Sequence, residues 1–451
     1  METVVNPYNG EVVGHYAPAD LARVREAIDA GHAAFAKTRK EPGIDRSAVL
    51  LRVSQLIEKR SRNLAQLITA EAGKPLLASL LETTRAVYTF RFAAQEATQD
   101  FGAEIDFDAS VMGQGHTGVA TRVPIGLILG ISPFNFPLNL VATGNTMLLK
   151  PSPRTPLTAL ALGDILNEAG MPENQVRVLP FDHQFIPTLL KDERVKMLTF
   201  TGSAPVGWEL KRLAVKQKVT LELGGNAAVI VHSDADWAAA APMIAAGAFG
   251  YAGQSCISVQ RILVHTAIYD EFREAFVRHT ETNIPTGDPA DVATVNGPMI
   301  DAAARDRVLE WTREAMERGA TSALPLRHEG NCVWPIILEN VPGDARIVCE
   351  EAFGPVAVLS RYEDFDAALA EVNASRYGLQ AGVFTGASEL AKRAFDVIEA
   401  GGVLINQTPT FRVENMPYGG IKDSGFGREG VRYAMEEMTE WKTFIMRRAA
   451  E

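Results

Sequence analysis

Four short stretches of this chain combine reactive side chains with backbone that lets a substrate come close. In Ala252-Gly253-Gln254-Ser255-Cys256-Ile257-Ser258 a thiol stands among small residues, and Gly253 permits close backbone approach. A cysteine thiolate is a strong nucleophile once its pKa is lowered. A lone cysteine is more often a small buried apolar residue. In Leu221-Glu222-Leu223-Gly224-Gly225-Asn226 a carboxylate lies between apolar residues and glycines. Buried there it must be paired or held neutral, and a raised pKa suits a general base. A partner-bound glutamate at an element end is the structural alternative. In Ser132-Pro133-Phe134-Asn135-Phe136-Pro137 two prolines restrict the backbone on both sides of Asn135. An amide fixed in this way either stabilises a turn or donates to a developing oxyanion, a role worth ~3–4 kcal/mol when donors are preorganised. Finally, Phe200-Thr201-Gly202-Ser203-Ala204-Pro205-Val206-Gly207 follows an apolar run. Two glycines and a hydroxyl at a strand-to-helix turn suit a pyrophosphate at a helix N-terminus. The spacing is not G-x-G-x-x-G, so alone it carries little.

These residues are far apart in sequence, and a fold has to bring them together. At 451 residues the chain exceeds one hydrophobic core, and two or three lobes are expected. With 47% hydrophobic and 22% charged residues it reads as a globular protein. A net charge of −11 argues against nucleic acid or an anionic membrane as partner, while leaving room for an anionic small substrate. Cys256, Cys332 and Cys349 form no C-x-x-C pair, so neither a disulfide framework nor a metal site is expected. No uncharged apolar run reaches the ~18 residues of a membrane span. The start METVVNPYNG lacks a signal-peptide pattern, and a cytoplasmic protein is expected.

Residues 18–103 carry helical spacing, as in Val49, Val53, Leu56 and Ile57. Residues 105–125, rich in Thr, Val and Gly, predict an extended hairpin. Short apolar runs then alternate with helical stretches: 127–129, 146–149, 176–179 and 197–200, then 228–231, 260–264 and 356–359. That alternation predicts an α/β fold with doubly wound parallel sheets. Residues 441–446 predict a closing strand.

Taken in order, the four stretches strongly resemble the aldehyde dehydrogenase superfamily, and the likeness covers nearly the whole chain. It begins at Asn6-Pro7-Tyr8-Asn9-Gly10-Glu11 and includes Gly144-Asn145, Lys150-Pro151-Ser152 and Glu350-Glu351-Ala352-Phe353-Gly354-Pro355. It closes with Pro417-Tyr418-Gly419-Gly420-Ile421-Lys422 and Ser424-Gly425 to Gly427-Arg428-Glu429. The resemblance implies a doubly wound coenzyme domain (1–103 and 124–223), a second α/β catalytic domain (224–423) and an oligomerisation element (104–123 and 424–451). It implies that Cys256 attacks the aldehyde and that Asn135 with the Cys256 N–H holds the oxyanion. Hydride then leaves for NAD or NADP, and Glu222 activates the water that releases the acid. Lys150, Ser152, Gly202, Ser203 and Gly207 would serve the adenosine and pyrophosphate end of the cofactor, and Glu351 with Phe353 the nicotinamide end. A homodimer or homotetramer is also implied.

Several positions refine that expectation. NAD-selective members often carry Glu three residues after the lysine, where this chain has Pro153 followed by Arg154, so NADP stays open. Arg85 and Arg412 fall where the substrate pocket would be, and arginine offers a fixed fork for carboxylate, phosphate or sulfonate. A short, polar or anionic aldehyde is expected, as in the lactaldehyde, glyceraldehyde-phosphate and phosphonoacetaldehyde branches that the chain resembles. Those members often also place Arg just before the nucleophile, where Ser255 stands here. Between Asn135 and Gly144-Asn145 about eight residues are missing relative to the family, a loss of ~12 Å if helical. This shortcut predicts displacement of Asn135 or the following strand, and ~1 Å of misplacement can cost ~100-fold in rate. Either other parts of the chain compensate or a stretch is lacking. The competing readings are a non-catalytic relative and an enzyme passing the acyl group to coenzyme A; relatives of the second kind generally lack the Glu222 base.

Overall fold

The computed structural model describes residues 1–99, 102–136 and 144–447. The alternating apolar runs form two sheets. In the first, the strands lie in the order Gly425–Phe426, Lys218–Glu222, Val195–Thr201, Leu127–Ile131, Thr146–Lys150 and Val176–Val178. All neighbours are parallel except the edge pair made by Gly425–Phe426. Successive side chains on a strand point to opposite faces, and both faces here are covered. Leu127, Leu129 and Leu148 pack with Val24, Ala27 and Ile28 of helix Leu21–Thr38. Ile128, Met147 and Leu149 pack on the other side with Val53 and Ile57 of helix Gly43–Lys59 and Phe90 of helix Leu76–Glu96.

The second sheet runs Thr321–Ser322, Ile336–Glu339, Val356–Tyr362, Val259–His265, Ala227–Val231, Gln380–Phe384, Gly402–Ile405, again parallel apart from its first, short edge strand. Val229, Val231, Ile262 and Val264 face helices Trp237–Phe249 and Tyr269–Asn283, while Ala228, Ile230 and Leu263 face helix Phe365–Asn373. The doubly wound α/β architecture expected from the sequence is therefore present, in two copies.

One expectation about the remaining segments is corrected. Residues 105–125 do not form a hairpin of their own. His116–Pro124 pairs along nine residues with Thr439–Arg447, and on its other side with Ala103–Glu104 and through the Ile105 N–H, which donates to the Gly118 carbonyl at 3.3 Å. Between these, Phe107–Ala109 and Val111–Gly113 are single helical turns, the first capped by Asp106, whose side chain accepts from the Asp108 N–H. A local cap has won over pairing there. The closing segment, expected to serve oligomerisation from residue 424, begins in the first sheet, where Gly425 pairs with Glu222. That pairing draws residues 424–429 to the end of the Glu222 strand.

Asn145 joins these parts. Its buried amide donates to the Met438 carbonyl at 2.7 Å, and its Oδ1 accepts from the Gly126 N–H at 2.9 Å. Asn145→Ala removes a bond from each of these buried backbone groups, and each such loss costs about 1–3 kcal/mol. We expect a lower urea midpoint at unchanged denaturant slope; an unchanged midpoint would show that water replaces both bonds.

Candidate active site

In an open parallel sheet, ligands bind beyond the carboxyl ends of the strands. In the first sheet those ends deliver Ser132, Lys150, Gly202 and Glu222 to one cavity of about 970 Å³, which Cys256 enters from the second lobe. The sequence-predicted residues Asn135, Ser152, Ser203, Glu351, Phe353, Arg85 and Arg412 also line it. Gly207 does not. It lies one turn into helix Ala204–Leu213, where a Cβ would stand 2.3 Å from Leu223 Cδ2, so its bareness lets helix and strand pack closely.

Cys256 is presented by an unusual turn. After helix Trp237–Phe249, Tyr251 (φ 53°), Ala252 (φ 54°) and Gly253 (φ 64°) are all left-handed. Such backbone in non-glycine residues costs on the order of 1–3 kcal/mol each and persists only where the surroundings fix it. They do so here. A Cβ on Gly253 would lie 2.1 Å from the Gly354 carbonyl oxygen. Fully buried Gln254 donates to the Pro298 carbonyl at 3.1 Å and accepts from the Ile300 N–H at 2.8 Å. Asn135 joins the same turn, since its Nδ2 donates to the Gln254 carbonyl at 3.1 Å. An amide has two N–H donors, and this bond uses one. The shortened segment after Asn135 was expected to displace it, yet Asn135 shares the cavity with Cys256. Residues 137–143, where that shortcut falls, lie outside the described residues.

The cavity is electrostatically tense. Burial pushes the Cys256 thiol up to about 12, and Glu351 and Glu222 push the same way, against the Tyr418 hydroxyl and Arg412. Tyr418 Oη stands 3.4 Å from the sulfur. Burial likewise holds the Glu222 carboxyl well above its ordinary range, with Glu429 adding to the effect and Arg412 and Arg428 opposing it. Its Oε1 has no hydrogen-bond partner among the described residues. Burial raises Glu351 to about 7, although the Gly225 N–H donates to its Oε1 at 3.0 Å. Phe353, left-handed at φ 46°, packs edge-on against Phe134 with ring centres 5.9 Å apart.

At the other end the residues fit a dinucleotide. Helix Ala204–Leu213 opens on Ser203, whose side chain makes no capping bond, so the first N–H groups remain available to an anion. The Gly202 N–H donates to the Glu222 carbonyl at 3.0 Å, tying this turn to the carboxylate strand. Burial lowers the pKa of Lys150, with Asp182 opposing. Ser152 Oγ accepts from the Arg154 N–H at 3.2 Å, fixing the turn beside it.

Of the three arginines lining the cavity, Arg85 and Arg412 each hold a glutamate, while Arg307 donates to the Ala352 carbonyl at 3.0 Å. Arg85 Nε donates to Glu414 at 2.6 Å, and Arg412 Nη2 to Glu429 at 3.1 Å. Arg412 also lies over the Tyr418 ring at 3.9 Å and keeps a buried Nε with no partner among the described residues. Sequence reasoning missed Glu414, Glu429, Gln254, Lys74 and the role of Tyr418. Only one signal was available: Glu82, Arg85 and Thr89, which all line the cavity, are spaced to share one helix face.

A thiol held up by burial reacts slowly at neutral pH because little of it is thiolate. In the absence of cofactor, alkylation of Cys256 by iodoacetamide should rise about tenfold per pH unit from 7 to 10 without levelling, as expected for a thiolate fraction far from saturation. A plateau near pH 8 would contradict the burial effect.

Comparison with known proteins agrees with this geometry. The chain matches the aldehyde dehydrogenase family over residues 2–444. It is 38% identical over 452 residues to 3-sulfolactaldehyde dehydrogenase of Priestia aryabhattai, covering 98% of this chain and 94% of that one. The crystal structure of aldehyde dehydrogenase 21 from Physcomitrella patens, in complex with the reaction product succinate, superposes with a TM-score of 0.95 at 40% identity, covering 99% of this chain and 95% of that one. Glyceraldehyde-3-phosphate dehydrogenase from Methanocaldococcus jannaschii, complexed with NADP, gives a TM-score of 0.94 at 33% identity over 99% of both chains. The chain belongs to the aldehyde dehydrogenase family.

Proposed function

We propose that the protein oxidises a short, polar or anionic aldehyde to its carboxylic acid, using NAD or NADP, through a thiohemiacetal and a thioester on Cys256. The observation that carries this reading is that one cavity holds Cys256, Glu222 and Asn135 at one end and the open N-terminus of helix Ala204–Leu213 at the other. When bound, NAD or NADP supplies the hydride acceptor. Lys150, Ser152 and Ser203 would hold its adenosine and pyrophosphate end, and Glu351 with Phe353 its nicotinamide end.

The residues of the chain do the rest. Cys256 gives up its proton to solvent water and its sulfur bonds to the aldehyde carbon, while the carbonyl electrons move onto oxygen. The second N–H of Asn135 and the Cys256 backbone N–H hold that oxyanion, and preorganised donors of this kind lower the barrier by ~3–4 kcal/mol. As the C=O re-forms, the electron pair of the C–H bond departs as hydride and a thioester remains. Glu222, as carboxylate, then takes a proton from water. The hydroxyl adds to the thioester carbon, the C–S bond breaks, and acid and thiol are released. A carboxyl held above its ordinary range is ionised over more of the population as pH rises. Hydrolysis should therefore gain as pH rises above the ordinary carboxylate range. Glu222 in the cavity favours hydrolysis over acyl transfer to coenzyme A, and the assembled trio favours a working enzyme over a non-catalytic relative.

The substrate class rests on Arg412 and Arg85 together with the relatives. Sulfolactaldehyde carries a sulfonate, succinate a second carboxylate and glyceraldehyde 3-phosphate a phosphate. Arg412, on the cavity wall, offers guanidinium donors for such a group. We also propose a homodimer or homotetramer. Strand Thr439–Arg447 leaves Trp441, Phe444, Ile445 and Met446 half or more exposed, a surface that a second copy would cover. The three cysteines, all free, accord with a cytoplasmic site of action. The test of the substrate class is a comparison of kcat/KM for anionic and neutral short aldehydes, a ratio that cancels any effect on Glu222. Arg412→Ala should lower the preference for the anionic substrate by about tenfold to a hundredfold, the worth of a charge-assisted hydrogen bond. An unchanged ratio would remove the anionic assignment and leave aldehyde oxidation standing.

A further inference from the structure

We infer that Lys74 is a positioning residue that locks Asn135 to the nucleophile turn and so aims the oxyanion amide. Lys74 follows Gly73, whose left-handed backbone ends helix Ser61–Ala72, and precedes Pro75, where helix Leu76–Glu96 begins. This reversal sends the side chain inward, and the residue is 2% exposed. Its ammonium donates to Glu82 Oε2 at 2.5 Å and to the backbone carbonyl of Asn135 at 2.7 Å. It also stands 3.9 Å from the centre of the Phe136 ring and 4.8 Å from that of Tyr251.

These contacts come from three separate segments. Asn135 and Phe136 belong to the segment that carries the amide. Tyr251 opens the left-handed turn that leads to Cys256 and contains Gln254, the acceptor of the Asn135 amide. A single cation therefore touches both halves of the oxyanion site, and Glu82, on the wall of the cavity, holds that cation in place. A buried ion pair is a poor way to gain stability, because apolar side chains of similar volume often serve as well or better. What an apolar side chain cannot supply is a donor for the Asn135 carbonyl. Lys74 does not touch the reacting atoms; it acts through Asn135.

The inference rests on the aldehyde oxidation proposed above. The variant Lys74→Met with Glu82→Gln removes the cation and neutralises its partner together, so that no unpaired charge stays buried. Its single-turnover rate and kcat should fall about 100-fold, the cost of ~1 Å of misplacement. The KM for NAD(P) and the rate of Cys256 alkylation should stay near those of the parent enzyme. In an Asn135→Ala background the same pair should cost less than about threefold, because coupled residues are non-additive. An equal loss in both backgrounds would overturn the inference. If the pair variant does not fold, Lys74→Arg keeps a cation of different reach and runs the same cycle. Its loss of kcat should vanish without the Asn135 amide, and persistence would be equally fatal. An unmodified enzyme that reduces neither cofactor with any aldehyde would instead defeat the functional reading itself.

Discussion

Tyr251, Ala252 and Gly253 hold left-handed backbone in succession, and two of them have side chains that disfavour it. The neighbouring chain has no space to let this turn relax, since the Gly354 carbonyl closes on Gly253 and Gln254 is bonded on both sides. The reward is placement. Cys256 follows directly from the turn, the Gln254 carbonyl binds the Asn135 amide, and Tyr251 meets Lys74. Strain held in this way is common where geometry matters more than local stability. The two lobes thus meet at a rigid corner, with the nucleophile from one and the amide and carboxylate from the other.

Around that corner the charges are arranged so that no single group is comfortable. Cys256, Glu222 and Glu351 each hold their protons more firmly than in water because burial penalises their anions. Arg412 and Arg428 counter this at Glu222, and Glu429 ties Arg412 while also raising Glu222. Proton affinities tuned by burial and by mutual charge are what acid–base chemistry near neutral pH requires. The same network limits how an anionic substrate is met at Arg85 and Arg412, because each of these guanidinium groups comes with a glutamate attached. There a substrate anion must use donors that Glu414 and Glu429 leave over.

Much of this was legible in the sequence, for physical reasons that can be named. Buried parallel strands need apolar runs, so residues 127–129 and 228–231 stand out as strands, although 197–200 proved to be the centre of Val195–Thr201. Glycines beside a reactive side chain mark close approach, which is why Cys256 and Glu222 were singled out, while their expected roles came from the family resemblance. Pairings that depend on distant chain were not readable. Arg85 and Glu414 are 329 residues apart, and nothing in either neighbourhood specifies the other. The same holds for Gly425 beside Glu222 and for His116–Pro124, whose true partner is the far end of the chain. Gly207 lies outside the lining of the cavity that the other expected cofactor residues share. A glycine in a phosphate-type turn is expected to be a cofactor contact, and its bareness here serves the packing of Leu223.

The central claim is that Cys256 carries the acyl group and Glu222 frees it. The most direct measurement is mass spectrometry of Glu222→Gln enzyme, quenched in acid after one turnover with NAD(P) and an anionic aldehyde. The account predicts a stable mass increase equal to the acyl group, localised to the peptide containing Cys256 and discharged by hydroxylamine. An unmodified protein alongside stoichiometric NAD(P)H, or an adduct on Cys332 or Cys349 instead, would contradict it.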